Sequence, residues 1–398
     1  MSLAANLLDL PTSNIEPFDV LDAFNNDQRI EGFISRQADH RYGALVIMRV
    51  ANEETTPQIV YGTPKMHYPF EAKPDGTRAY HFPSVVREVS VYQKLDGTNI
   101  LAYGYKDADG KRFLTYKTRL NPVLGDNKFG PFRQMWQEML ASTPDLRFLC
   151  RFWALREYEP DTTNLSFELY GYRNRHLILY PEALAVRLLF GVGAHDAEVV
   201  PPLVFTDDQI ALRPVATLHS AEGLVAFYEK LRADADATNK KVVDGDTEAI
   251  DGTEGYVFYV LDGENRWHQT KCKPEGVEQI HWATDVIPID RIMPTTWNSL
   301  EAADIPTVEA VRTLLLEEFS QAQIDASAAR IEKAVDVVTG QLAWRGIVKE
   351  AFDAETVAMG PLVALNDKAT VMRLMANHFH KAEMKRVYSA LRAMGLVT

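Results

Sequence analysis

From residue 85 to residue 275 the chain is a succession of short apolar runs closed by turn residues, a pattern that leaves antiparallel sheet as the frame. The runs are Val85 to Tyr92, Ile100 to Tyr103, Arg112 to Thr118, Leu165 to Tyr172, His176 to Tyr180, Leu184 to Val192, Gly255 to Leu261 and Arg266 to Lys273. Val85 to Tyr92 alternates as a half-buried strand does and leads into Lys94-Leu95-Asp96-Gly97. Gly97 permits a tight reversal into the run that begins at Ile100.

Four of these runs carry charge where an apolar strand has little reason to. Lys94 ends the first. Glu168 stands in the middle of Phe167-Glu168-Leu169-Tyr170-Gly171, and Glu254 stands at the mouth of Glu254-Gly255-Tyr256-Val257. Lys271-Cys272-Lys273 closes the last run, and the two-residue period of a strand puts both lysines on one face. Each piece has an ordinary reading: a turn lysine, an edge-strand carboxylate, a loop carboxylate, and a solvated hairpin face beyond the turn Leu261 to Asn265. Four pieces in one order, each at a strand edge, favour a site. A lysine amine can act as a nucleophile once deprotonated, carboxylates can hold Mg²⁺, and further lysines can offset charge on a phosphate. That set suits phosphoryl transfer.

On these residues the chain resembles the covalent nucleotidyltransferases: ATP-dependent DNA and RNA ligases and mRNA capping enzymes. Lys94 to Gly97 resembles their motif I, Phe167 to Gly171 motif III, Glu254 to Val257 motif IV and Lys271 to Lys273 motif V. The roughly ninety residues before the lysine, the Glu-Gly-Tyr-Val form of motif IV and the helical continuation point to the RNA ligase 1 family of phage and fungal RNA repair. The resemblance spans about residues 40 to 275. It implies a lysyl-AMP intermediate on Lys94, with Asp96, Lys271 and Lys273 as catalytic partners. It also implies nucleotide contacts from Lys65, Gly97, Arg119, Glu168, Glu254, Lys271 and Lys273, and metal contacts from Glu254 and Glu168. Arg49 and Phe70 are weaker candidates from upstream segments. The cofactors implied are ATP and Mg²⁺, with Mn²⁺ as a substitute. The partner implied is single-stranded or broken-loop RNA, such as a cleaved tRNA, bearing a 5′-phosphate and a 3′-hydroxyl. A separate end-healing kinase or phosphatase would prepare those ends. The rival readings are a DNA ligase, a capping-type guanylyltransferase and a non-catalytic RNA-binding protein on a ligase scaffold.

The expected fold is α+β: an adenylyltransferase domain of antiparallel sheets with flanking helices over 1–285, of which 1–85 helps to form the ATP pocket, then an all-helical domain over 290–398. Within the first, Asp126 to Ser142 and Ser220 to Ala233 read as helices, the latter capped by Ser220. Asp234 to Gly252, rich in Asp, Lys and Thr, reads as a mobile loop. Beyond 290, apolar residues recur at helical spacing over Val308 to Ala322, over Asp325 to Ala354 with a break at Gly340 or Gly346, and over Asp367 to Met394. The last stretch carries Lys368, Arg373, Lys381, Lys385, Arg386 and Arg392 against Asp367 and Glu383, so it is a candidate RNA face as well as a plain solvated one. His378 and His380 make a poor metal pair at that spacing. No strand-rich oligonucleotide-binding domain follows motif V, which counts against the DNA ligase and capping readings.

A formal charge of −13 argues against a protein that coats nucleic acid indiscriminately, though a local basic groove can sit on an acidic body. Two cysteines, Cys150 and Cys272, fit a reducing compartment and leave no set for a zinc finger; Cys272 reads as packing. No apolar run is long enough to span a bilayer, and Met1-Ser2-Leu3 opens no basic-then-apolar signal. A soluble cytoplasmic protein is expected, in the host cytoplasm if the source is viral. Gly191-Val192-Gly193 lacks the third glycine and the setting of a dinucleotide fingerprint.

Overall fold

The computed structural model describes the chain except residues 38, 73–76, 127–130, 155–163, 175, 194–196, 207–208, 245–246, 275–285, 288, 302, 317–318, 320, 360–367, 395 and 398. The fold is α+β, with antiparallel sheets, flanking helices and a helical C-terminal part, as the sequence pattern implies. Two compact units divide it. One comprises Met1–Gly125, Arg133–Val242 and Ala249–Gln279. The other comprises Asp126–Phe132, Val243–Glu248 and Ile280–Thr398.

The first unit begins with α1 (Ser2–Leu7), β1 (Ile15–Asp22), β2 (Gln28–Ser35), β3 (Leu45–Val50), β4 (Glu53–Val60), β5 (Phe70–Ala72) and β6 (Arg78–Tyr80). It continues with β7 (Val86–Gln93), β8 (Thr98–Lys106), β9 (Arg112–Lys117), α2 (Phe132–Ser142), α3 (Pro144–Ala154) and β10 (Asn164–Tyr170). Then come β11 (Ala185–Val192), β12 (Val199–Val200), β13 (Pro214–Leu218), α4 (Leu224–Thr238), β14 (Lys240–Asp244) and β15 (Thr247–Asp251), whose residues 243–248 count to the other unit, and then β16 (Tyr256–Asp262) and β17 (Trp267–Cys272). The main sheets run β1-β2-β3-β4, β12-β11-β10-β8-β9 and β13-β7-β16-β17; β5-β6 and β14-β15 are two-stranded.

Alternation of side chains builds the layers. Tyr92, Val257 and Tyr259 point from the β7 sheet toward Leu101, Phe190 and Val192 of the β8 sheet, and the two faces share one core. The other face of the β7 sheet sends Val89, Val91, Phe258, Val260 and Cys272 against Leu224 and Tyr228 of α4. Behind the β8 sheet, Trp136 of α2 lies 5.6 Å from the Phe167 ring, and Leu146 and Cys150 of α3 are fully buried. The central strand β10 is buried along its whole length.

Several expectations are corrected here. Gly97 does not close a hairpin: β7 and β8 belong to different sheets, so Lys94 to Gly97 is the passage from one to the other. The Asp234 to Gly252 stretch, apart from residues 245–246 outside the described residues, forms a helix end and a hairpin. α4 runs on to Thr238 because Arg232 and Ala235 are buried, and a hairpin follows whose Ile250 exchanges backbone hydrogen bonds with the 177–179 segment. Asn239 secures its end, receiving the Thr253 amide at 2.8 Å and donating to the Thr253 carbonyl at 2.9 Å. Ser220 caps nothing; α4 starts at Leu224 after Gly223 at φ 73°. His176 to Tyr180 is no strand and makes a single bridge, Ile178 to Ile250. The expected helix from Asp126 falls partly on 127–130, outside the described residues, and is helical from Phe132.

The second unit holds α5 (Ile289–Asn298), α6 (Val308–Leu315), α7 (Gln321–Ala326), α8 (Ala328–Met359), α9 (Lys368–Met375) and α10 (Met384–Ala393). Gly340 and Gly346 do not break α8. Ile331 and Ala334 anchor one end in a core with Ile292 and Val311, and Val348 and Phe352 anchor the other with Val371 and Leu391. Such anchoring outweighs the cost of a helical glycine, about 1 kcal/mol. The stretch expected as one helix up to Ala322 divides into α6 and α7. The terminal stretch divides into α9 and α10; its first residue, Asp367, lies outside the described residues. Between α9 and α10, His378 Nε2 contacts Glu355 at 2.6 Å and the His380 side chain caps the turn before α10.

Candidate active site

Strand pairing brings the polar residues together. The β16–β7 register sets Tyr256 against Gln93, and one step on the Lys94 amide donates to the Gly255 carbonyl at 2.9 Å. Lys94 and Glu254 are therefore neighbours although 160 residues separate them. Lys94 Nζ lies 2.6 Å from Glu254 Oε2, and Lys273 Nζ lies 3.4 Å from Glu254 Oε1. The three side chains are 21%, 14% and 15% exposed, enclosed yet reachable from solvent. Burial opposes ionisation of Glu254, but the Lys94 and Lys273 ammoniums outweigh it and hold the carboxyl below its ordinary range.

Glu168 enters from β10, opposite Asn99 of β8. Its burial pushes the carboxyl up to about 8; Lys94 pulls the other way, while Glu254 and Asp96 push further up. At neutral pH Glu168 therefore keeps its proton while Glu254 is ionised, a divergence of environments that often marks a working site.

Asp96 is held by the chain beyond β10. Its Oδ2 accepts the Leu177 and Ile178 amides at 2.6 and 2.7 Å, and its own amide donates to the Tyr180 hydroxyl at 2.9 Å. Burial raises its pKa and the Glu254 charge adds to that, against His176, the Ile178 amide and Lys94. Nearby, the Asn174 amide donates to Thr98 Oγ1 at 3.1 Å. This clasp of Asn174, Leu177, Ile178 and Tyr180 on the Lys94 turn has no side-chain signature in the sequence, because two of its bonds come from backbone amides some eighty residues away. Two glycines are steric requirements. A Cβ on Gly97 would sit 2.3 Å from the Leu169 carbonyl. One on Gly255, at φ +126°, would sit 2.1 Å from the Cys272 carbonyl.

The other expected residues lie at varying remove. Lys271 is buried and its Nζ stands 4.5 Å over the Tyr68 ring. Lys65 lines a cavity of about 690 Å³ with Tyr68, Phe82 and Trp267, and neither Lys94, Glu168 nor Glu254 lines it. Arg119 stacks over Tyr42 at 5.7 Å, and its carbonyl accepts from the buried Lys117. Arg49 pairs with Glu31 on the first sheet, and Phe70 packs in the core beneath α4. Among the described residues no group of three or more His, Cys, Asp or Glu side chains is arranged to hold a metal ion by itself.

No protein-family model matches the chain, and no curated protein matches it. Among solved structures it is similar to an archaeal ATP-dependent RNA ligase, at 13% identity and a TM-score of 0.43, over 85% of this chain and 76% of that one. It is similar to a putative ATP-dependent DNA ligase from Aquifex aeolicus, at 15% identity and a TM-score of 0.41, over 89% of this chain and 80% of that one. It is also similar to a Naegleria gruberi RNA ligase with pyrophosphate, at 11% identity and a TM-score of 0.31, over 68% of this chain and 98% of that one. Likeness at this level decides nothing about the site, whose reading stands on the contacts of Lys94, Glu254 and Lys273.

Proposed function

We propose that the chain is an ATP-dependent RNA ligase that joins a 5′-phosphate end to a 3′-hydroxyl end through AMP carried on Lys94. The observation that supports the reading is the enclosed contact of Lys94 with Glu254 and of Glu254 with Lys273. In the first step Lys94 Nζ attacks the α-phosphorus of ATP. An N–P bond forms, the P–O bond to pyrophosphate breaks, and pyrophosphate leaves with the electron pair. The proton that Lys94 sheds has an acceptor within reach in Glu254 Oε2. Lys273 and Lys271 supply positive charge toward the phosphates. In the second step an oxygen of the RNA 5′-phosphate attacks the carried AMP and frees Lys94. In the third the RNA 3′-hydroxyl attacks the activated phosphate and AMP leaves.

Mg²⁺, or Mn²⁺ in its place, fits this residue set as an ion shared with the nucleotide. Such ions are commonly held by one or two carboxylates plus substrate phosphates; Glu254 provides an ionised one, and Glu168 would join it on giving up its proton. When bound, the ion offsets phosphate charge. The helical second unit, with its basic α9 and α10, is the proposed RNA-specificity module, and repair of cleaved RNA such as tRNA the proposed setting. No described helix is long and apolar enough to cross a membrane.

The test is incubation of the protein with divalent metal and α-labelled ATP or GTP, followed by a denaturing gel. A labelled adduct from ATP that Lys94→Ala lacks, together with sealing of 5′-phosphorylated single-stranded RNA, is the expected result. An adduct from GTP alone would shift the reading to guanylyl transfer. Sealing confined to nicked duplex DNA would shift it to a DNA ligase. RNA binding without any adduct would leave only the binding protein.

A further inference from the structure

The two lysines of the last site strand owe their place to a helix outside the cluster. The β16–β17 register ends at Tyr256 opposite Cys272, so the ladder stops one residue before Lys273. Helix α4 takes over there. The Tyr228 hydroxyl donates to the Lys271 carbonyl at 2.8 Å, the Cys272 thiol faces the Tyr228 carbonyl at 3.8 Å, and Arg232 Nε donates to the Lys273 carbonyl at 3.2 Å. One face of α4 thus meets three consecutive residues of the strand end, with Tyr228 and Arg232 at the i, i+4 spacing that aligns them.

Arg232 is unusual support. Its side chain has no exposed surface, which a guanidinium tolerates only when its charge is answered. Glu229 answers it at 3.2 Å and also receives Arg78 at 2.9 Å and the Tyr80 hydroxyl, while the Phe70 ring lies 5.4 Å from the Arg232 guanidinium and 5.2 Å from that of Arg78. The fully buried Arg232 thus holds one strand-end carbonyl while its charge is answered by the partly exposed Glu229. What the network fixes is the backbone of the residue whose ammonium meets Glu254.

We propose that Arg232 and Tyr228 are positioning residues for Lys273 and Lys271, holding the strand end so that both ammoniums address the nucleotide triphosphate. This rests on the function proposed above and assigns to α4 a part in the first step rather than in RNA sealing. The test compares wild type, Arg232→Lys and Tyr228→Phe in two assays: the single-turnover rate of Lys94 adduct formation at saturating ATP, and the sealing of RNA supplied already adenylated at its 5′ end. Tyr228→Phe keeps the ring contacts and so guards against a simple failure to fold. Loss of a hydrogen bond from a charged donor predicts a fall of about tenfold or more in adduct rate for Arg232→Lys, and loss of a neutral one about fivefold for Tyr228→Phe. Sealing of adenylated RNA should stay near wild type in both. Wild-type adduct rates in both variants would overturn the proposal, and so would equal losses in both assays with a lowered melting temperature, which mark a merely structural role. Absence of any adduct from the wild-type protein would instead remove the function on which the proposal rests.

Discussion

Glu168 is buried and Glu254 half-buried in one cluster, and their surroundings drive them apart. Two ammoniums hold Glu254 ionised; desolvation holds Glu168 protonated. Each has a consequence for stability. A folded-state pKa below the unfolded one means that Glu254 contributes stability above the ordinary carboxyl range, lost as pH falls through its folded value. Glu168 has the opposite sign. Its folded pKa is raised from 4.5 to about 8, so its contribution is complete below 4.5 and is lost as pH rises through about 8. Glu168→Gln removes that dependence. The melting temperature of the variant relative to wild type should therefore rise between pH 5 and about pH 8 and then level off, and a difference flat in pH would contradict the assignment. Glu254→Gln leaves the enclosed Lys94 and Lys273 without their counter-charge, so both stability toward urea and adduct formation should fall. The residues of this cluster could be read in the sequence because charge on an apolar strand is conspicuous. The clasp on Asp96 could not, because Leu177 and Ile178 contribute only backbone amides.

At the scale of elements, apolar runs closed by turn residues marked the strands β7, β9 to β11, β16 and β17 within two residues and β8 within three. Sheet membership was not marked. Whether β7 pairs with its sequence neighbour β8 or with β16, some 160 residues on, depends on long-range contacts that no local pattern carries. The same reasoning covers the stretch after α4, polar in composition yet ordered by Arg232, Asn239 and the Ile250 bridge. Glycines separate the two kinds of information well. Gly255→Ala puts a Cβ 2.1 Å from the Cys272 carbonyl at a left-handed φ, and should cost about 2–4 kcal/mol with loss of the adduct, since it pushes β16 from the residue before Lys273. Gly340→Ala is the contrast. Its Cβ meets nothing within 4 Å in the middle of α8, so the substitution should stabilise by up to about 1 kcal/mol. Urea unfolding of the two variants gives both signs in one experiment, and a destabilised Gly340→Ala would mean that α8 needs its glycine for something other than helix formation.

On the scale of the whole molecule, the division of cores sets what each unit can do alone. Among the described residues, the clusters around Val46, Tyr92, Val89 and Tyr103 draw on the sheet-bearing unit, and those around Ile292, Leu300 and Val348 on the helical one. Lys94, Asp96, Glu168, Glu254, Lys271 and Lys273 all fall in the first. The second holds the charge imbalance: over residues 368–394, Lys368, Arg373, Lys381, Lys385, Arg386 and Arg392 are exposed and Glu383 is the lone acid, in a chain whose formal charge is −13. Two of those cations lie over rings, Lys368 Nζ 3.8 Å from Tyr388 and Arg386 4.3 Å from Trp344, a pairing of charge and aromatic surface that suits a phosphate backbone with unpaired bases. If nucleotide chemistry belongs to one unit and RNA capture to the other, salt should separate them. Counterion release makes RNA affinity fall steeply as salt rises, by about a factor of ten or more from 50 to 200 mM for a few phosphate contacts, whereas attack of Lys94 on ATP in an enclosed cluster is screened far less. Sealing at limiting RNA should therefore collapse over that range while adduct formation changes little. Arg386→Ala with Arg373→Ala should flatten the salt slope of sealing without touching the adduct. Equal salt sensitivity of the two activities, or a double variant with the wild-type slope, would place RNA capture on the sheet-bearing unit instead.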